Sequence, residues 1–263
     1  MRRRRISLRR ALLLAMLATA LMASPAFAER TQIGDLIAFL NGHVSPRALP
    51  RDHLAPVGIS LDAGIQVAAE TPLPRVRKIR LELAWRGTLD TEGLMVCPLA
   101  SLRSVDTRSA MKACGPALVG SGNIFARVFL PNQTPFGLHT KLLAFNGKTK
   151  SGMPAVWALA YSANPPGSIV IPFYLKHQAG PLHTVLVGFI PHSAGSWSHF
   201  AHFHMLISRR FSYGGRMHSY MSASCPLPPR FTAGLFLLAR VTFTVADGPE
   251  LTAQTRRTCR TRR

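Results

Sequence analysis

The segment Ser198-His199-Phe200-Ala201-His202-Phe203-His204 carries the most suggestive chemistry in this 263-residue chain. On an extended strand, residues two apart share a face, so His202 and His204 point the same way. Imidazoles at that spacing suit Zn2+ or Cu2+ if a third ligand arrives from elsewhere, for example His192 or His218. His199 falls on the opposite face unless a bulge intervenes. Such a pair binds metal through neutral imidazole, so binding weakens below about pH 6. The competing role is structural: outward imidazoles on a half-buried strand whose Ala201, Phe203, Met205 and Ile207 face the core.

Acids are scarce, eleven against 32 lysines and arginines. Glycoside hydrolysis needs two carboxylates about 5 to 9 Å apart. The nearest pairs in sequence are Asp90 with Glu92 and Asp247 with Glu250, and both read as solvated turns. No G-x-S-x-G, H-E-x-x-H, P-loop or G-x-G-x-x-G is present, so a hydrolase would need a site assembled in space. Trp85, Trp157 and Trp197 are scattered, which fits packing better than a sugar platform. No cofactor is implied.

The four cysteines, Cys97, Cys114, Cys225 and Cys259, form an even set without C-x-x-C spacing. In an oxidising compartment they predict two disulfides, and nearest-neighbour pairing gives Cys97–Cys114 and Cys225–Cys259. Loops of those lengths restrict the unfolded chain by roughly 3–4 kcal/mol each. The second bridge would pin a basic tail, Arg256, Arg257, Arg260, Arg262 and Arg263, which is the main charge cluster outside the N-terminus and the candidate anion-binding site.

Met1 to Ala28 reads as a secretory signal: an acid-free arginine-rich start, an apolar run from Ala11 to about Met22, and Ala26-Phe27-Ala28 before Glu29. Removing its six arginines lowers the formal charge of +21 to about +15. A charge of that size favours polyanions. Nucleic acid would be the partner in a cytosolic protein; an exported one meets anionic lipids, teichoic acids and acidic polysaccharides instead. No later stretch is long enough to cross a membrane as a helix. The expected location is secreted or associated with the cell envelope.

The elements that must position these residues are strands. The run Lys78-Ile79-Arg80-Leu81-Glu82-Leu83 alternates cleanly, apolar on one side and charged on the other. It leads to Cys97, a short excursion with helix character over Ser104 to Ala113 (capped by Ser104 or Asp106), Cys114, and a Gly120-Ser121-Gly122 exit into a new strand. Residues 29–34 read as a loose start, Asp35 to Asn41 as a strand, and Asn41-Gly42 and Asn146-Gly147 as turns. Pro172 inside the Ile169 to Leu175 strand suggests an edge or a bulge. The pattern predicts an all-β chain, an antiparallel β-sandwich of about ten to twelve short strands forming a single domain over 29–263 with a small disulfide-clasped helical excursion.

Several longer strings sharpen this picture. They include Pro74-x-x-x-Lys78-Ile79-Arg80, Gly87-x-Leu89-Asp90-Thr91-x-Gly93-Leu94, Cys97-Pro98, Ala113-Cys114-Gly115-x-Ala117-Leu118-Val119-Gly120 and Leu143-Ala144-Phe145-Asn146-Gly147. Later come Phe211-Ser212-Tyr213, Ser219-Tyr220-Met221-Ser222-Ala223-Ser224-Cys225-Pro226 and Phe243-Thr244. From about Ala55 to Cys259 the chain resembles an exported β-rich protein family of high-GC actinobacteria to which no activity is assigned. The resemblance implies a β-rich domain with two bridges and carries over no catalytic or ligand-binding residue. His199 to His204 stands outside the family's pattern. The expected function is non-enzymatic: binding of an anionic cell-envelope polymer, or a protein partner, through a basic face. Metal binding at His202 and His204, and hydrolysis at a spatially assembled site, are the alternatives.

Overall fold

The computed structural model describes residues 29–68, 71–84, 87–191 and 198–262. Met1 to Ala28, the expected secretory signal, lies outside the described residues, as do Trp85, His192, Trp197 and Arg263. In chain order the strands are β1 (Glu29–Ile33), β2 (Leu36–Ser45), β3 (Ala48–Leu49), β4 (Ala55–Pro56), β5 (Gly58–Val67), β6 (Val76–Leu83) and β7 (Gly87–Leu89). A 3-10 turn (Leu99–Leu102) and helix α1 (Thr107–Cys114) follow. Then come β8 (Leu118–Val128), β9 (Phe136–Lys148), β10 (Pro154–Ala163), β11 (Pro166–His177), β12 (Thr184–Phe189) and β13 (Ser198–Ile207). The last are β14 (Arg210–Tyr213), β15 (Arg216–Ser219), β16 (Met221–Ala223), β17 (Ala233–Val245) and β18 (Glu250–Thr261).

Thirteen strands form one curled sheet in the order β1-β2-β5-β13-β8-β9-β10-β11-β12-β6-β17-β18-β3. Every pairing is antiparallel except that of the short β3 with β18. The sheet folds over until β18 meets β2, where the Arg257 guanidinium donates to the Gly42 carbonyl and the Asn41 side chain. Phe200 of β13 and Phe243 of β17 approach to 5.8 Å between the two layers. The chain is therefore the all-β, antiparallel double layer that alternation predicts. It has more strands than the expected ten to twelve because several are only two to four residues long. β4, β16 and β7 make a separate three-stranded sheet, and β14 and β15 a hairpin. No helix among the described residues is long and apolar enough to cross a membrane.

Inward side chains follow the two-residue period. In β6, Ile79, Leu81 and Leu83 are buried, and in β17 so are Ala239, Val241 and Phe243. Strands β9 and β10 depart from it, being apolar on both faces. Leu142, Ala144, Val156 and Ala158 belong to the main core. Leu143, Phe145, Trp157 and Leu159 form a second cluster with Cys97, Leu102, Ala110 and Cys114. The excursion between Cys97 and Ala117 thus covers the outer side of the sheet. Trp157 Nε1 donates to the Cys97 carbonyl at 2.9 Å, and the Cys97 amide donates to Asn146 O at 2.9 Å. Of the two capping candidates, Asp106 caps α1, its carboxylate accepting from the Ser109 amide. Those hydrogen bonds hold the Asp106 carboxyl below its usual range.

Three local expectations are corrected. Residues 29–33 are not loose but pair along β2. Asn41-Gly42 lies inside β2, held by β5 on one side. Asn146-Gly147 lies inside β9 opposite Val156 and Ala155. In both dipeptides strand pairing overrides the local turn preference; after Asn146-Gly147 the actual turn follows at Thr149 to Met153. Pro172 does mark a local edge: β12 begins its pairing one residue later, at Phe173.

Candidate anion-binding face

The outward side chains of β6, β17 and β18 make a basic surface. Arg80 stands opposite Thr242, which stands opposite Thr252; Glu82 stands opposite Arg240, which stands opposite Gln254. These six residues floor an open cleft of about 920 Å³ walled by Glu29, Arg30 and Thr31 of β1. Farther along β18 and just past its end, Arg256, Arg260 and Arg262 alternate with inward residues and are exposed.

Glu82 organises the cleft. It is only 4 % exposed, and a carboxylate so far from water needs charged or polar donors. Arg80 Nη2 donates to Glu82 Oε1 at 3.1 Å and Gln178 Nε2 donates to the same oxygen at 2.8 Å. Arg240 Nη1 lies 3.8 Å from Oε2. Arg80 also donates to Gln178 Oε1 at 2.6 Å, so both ends of the Gln178 amide are used. One carboxylate thus fixes two guanidinium groups and leaves the cluster with a net positive charge. At the far end Glu250 takes hydrogen bonds from the Thr244 hydroxyl and from Lys78, which hold its carboxyl below the usual range.

The basic tail divides by strand parity. Arg257, in the predicted anion-binding set, turns inward to β2, while Arg256, Arg260 and Arg262 look outward. Arg256 has Glu29 at 3.9 Å. The Arg260 amide donates to Arg47 O and the Arg262 amide to Leu49 O, so Arg47 joins the same end of the molecule. The positive field registers on His43, whose pKa is lowered by burial first and then by Arg257 and Arg47.

Both disulfides pair as nearest neighbours, Cys97–Cys114 and Cys225–Cys259, and no described cysteine is free. The second ties β18 to the segment after β16, whose Cys225 amide donates to Pro50 O at 2.8 Å. Its partners are 34 residues apart. Replacing Cys225 and Cys259 by serine is expected to cost about 3–4 kcal/mol in urea unfolding. It should also open the bonds after Arg256 and Arg260 to trypsin; an unchanged midpoint and an uncut tail would contradict that anchoring role.

The histidine strand has a different geometry from the one expected. A bulge between Phe200 and His202 takes Ala201 out of the regular pairing. Phe200, Phe203, Met205 and Ile207 point inward, so the bulge brings His199 to the same outward side as His202 and His204, contrary to unbroken alternation. The His202 ring stacks on Phe125 at 4.9 Å, Phe125 stacks on His139 at 4.9 Å, and Phe39 lies 6.2 Å from His202 on the other side. Register puts these rings in one row across the sheet, with Gly64 between Phe39 and His202. His199 packs on Phe129 and hydrogen-bonds the Leu73 carbonyl. His204 faces Asp62 across the ladder. Among the described residues no three His, Cys, Asp or Glu side chains converge as a metal site. His218, the other proposed third ligand, lies elsewhere: its Nδ1 is 3.0 Å from Asp90 Oδ2.

That contact also settles the relation of Asp90 to Glu92. Asp90 Oδ1 accepts from the Glu92 amide at 3.0 Å, a local turn, and its other oxygen meets His218. Asp247 and Glu250 serve separate cations, Arg77 at 3.9 Å and Lys78 at 3.3 Å. Neither pair of acids is brought together around a common point. Arg80, Glu82, Gln178 and Arg240 were not singled out from sequence. The charged side of the Lys78 to Leu83 alternation was legible, but the partner strands that complete the cleft were not. No protein-family model, curated protein or solved structure matches this chain.

Proposed function

We propose that this protein is an exported, non-enzymatic β-domain that binds an anionic polymer of the cell envelope along the outer face of β6, β17 and β18. The observation that carries the reading is the alignment of Arg80, Arg240, Arg256, Arg260 and Arg262 on one side of three adjacent strands, beside an open polar cleft. A polymer with anionic groups at intervals meets fixed guanidinium groups there, and Thr242, Thr252 and Gln254 offer hydrogen bonds between them. Two disulfides accord with an oxidising destination.

The test uses the exposed arginines, since Arg80 and Arg240 hold the buried Glu82. Replacing Arg256, Arg260 and Arg262 together by glutamine is expected to weaken retention on purified cell wall about ten-fold near 0.1 M salt and to flatten its salt dependence. Thermal stability should change little, as befits exposed positions. Retention that ignores both salt and the triple substitution would remove the electrostatic reading.

A further inference from the structure

Where β17 begins and β18 ends, two large apolar side chains stand in water. Phe231 is 58 % exposed and Leu235 is 65 % exposed. A lone exposed apolar residue is ordinary, but these two sit among cations. Ala233 pairs with Arg260 and Leu235 with Thr258. The Thr261 amide donates to Thr232 O at 2.9 Å. The segment Phe231 to Leu235 therefore runs alongside Thr258 to Arg262. Arg51 Nη2 donates to the Phe231 carbonyl at 3.1 Å. Arg230, Arg260 and Arg262 are all exposed. The neighbouring acid, Asp52, has His53 at 3.0 Å.

Leu235 is turned out by what lies beneath its neighbour. A Cβ at Gly234 would fall 2.4 Å from Leu227 Cδ2, and Leu227 is a buried core residue. The Gly234 side of the strand is thus the inner one, and Leu235 takes the outer. Gly234 stands opposite Cys259, which is bridged to Cys225. Ladder and disulfide together hold this end of the sheet in place. An apolar wedge that is already fixed loses little conformational freedom when it inserts into a partner.

A polyanion in water would engage the arginines and leave the Phe231 ring and the Leu235 side chain wet. A protein partner of ordinary size covers about 800 Å² on each side, and an apolar centre of two side chains is small for that. A bilayer carrying anionic lipids uses both parts: headgroup phosphates meet the guanidinium groups, and the acyl boundary takes the apolar tips. We infer that this end of the molecule docks on an anionic lipid bilayer, with Phe231 and Leu235 inserted at the headgroup boundary and Arg230, Arg260 and Arg262 around them. The inference goes beyond polymer binding. It shares Arg260 and Arg262 with that face, but Phe231 and Leu235 have no part in holding a polymer, so the two readings fail separately.

The experiment sediments the disulfide-bonded protein with phosphatidylcholine vesicles, with and without phosphatidylglycerol. Binding is expected to be at least about ten-fold stronger when phosphatidylglycerol is present, since each arginine near an anionic surface contributes about five-fold. Phe231→Ser combined with Leu235→Thr should weaken binding to the anionic vesicles at least about ten-fold and leave retention on purified cell wall unchanged. Leu235→Trp gives a direct readout of depth: its emission should move to the blue on anionic vesicles and be quenched by brominated acyl chains. Equal binding to both kinds of vesicle, or none to either, overturns the inference. So does a double variant that binds anionic vesicles like the wild type, or an introduced indole that brominated chains leave unquenched, because the protein would then be held by charge alone.

Discussion

Gly122→Ala is expected to destabilise the protein by about 3 kcal/mol or more, an effect far above the norm for adding one methyl group. A Cβ at Gly122 would lie 1.9 Å from the His204 carbonyl oxygen and 2.9 Å from Met205 Cα. Both are main-chain atoms of the neighbouring strand, so no rotamer change relieves the contact; β8 and β13 would have to move apart in the middle of the sheet. Gly64→Ala should behave alike, because its Cβ would meet His202 Cβ at 2.3 Å and the Ala201 carbonyl at 2.4 Å. The bulge at Ala201 turns that carbonyl toward β5, and glycine is the residue that admits it. Strand β13 is therefore gripped by a glycine on each side. Gly167→Ala is the control: nothing lies within 4 Å of its Cβ, and the change should stay within about 0.5 kcal/mol. Urea denaturation of the three variants decides the matter. A Gly122→Ala protein as stable as the Gly167→Ala control would show that the strands are not so closely packed.

Trp157→Ala is expected to cost about 3–5 kcal/mol and to release the disulfide-clasped excursion from the sheet. Trp157 is 2 % exposed and lies against Gly147, where a Cβ would fall 2.1 Å from the indole nitrogen. Its N–H satisfies the Cys97 carbonyl at the point where the excursion begins. Removing it leaves both a cavity and a buried unpaired carbonyl. The second cluster is separate from the main core, so the loss should be felt locally. The Cys97–Cys114 bond would still close the loop, but α1 would lose its bed. Trypsin cleavage after the exposed Arg103 and Arg108 should accelerate well before the main sheet unfolds in urea. Cleavage at the wild-type rate would mean that the excursion is held by other contacts.

The histidines show how little spacing alone can say about a site. His202 and His204 do share a face, as two-residue periodicity requires. Yet the role visible for His202 is packing in a row of rings that no local pattern announces, because Phe39, Phe125 and His139 reach it through the register of five strands. The bulge that reverses His199 is equally hidden: one unpaired residue changes the parity of everything before it. The same holds for the turn signals at Asn41-Gly42 and Asn146-Gly147. A dipeptide's preference for a turn is worth less than a ladder of hydrogen bonds along even one side of it.

By itself the amino-acid sequence determined the β class, the two cystine pairs, the helical excursion with Ser104 or Asp106 to cap it, and the excess of positive charge. These are properties of short windows or of the whole composition: alternation with period two, the nearness of cysteines along the chain, a local side-chain cap, a sum of charges. Only the tertiary structure decided that β6 lies beside β17, that Glu82 thereby gathers Arg80, Arg240 and Gln178, and that Arg257 turns in while Arg256 and Arg260 turn out. The physical reason is that an alternating strand can pair with any other alternating strand. The choice among partners is made by the packing of all inward faces at once, and the outward face becomes a surface only after that choice.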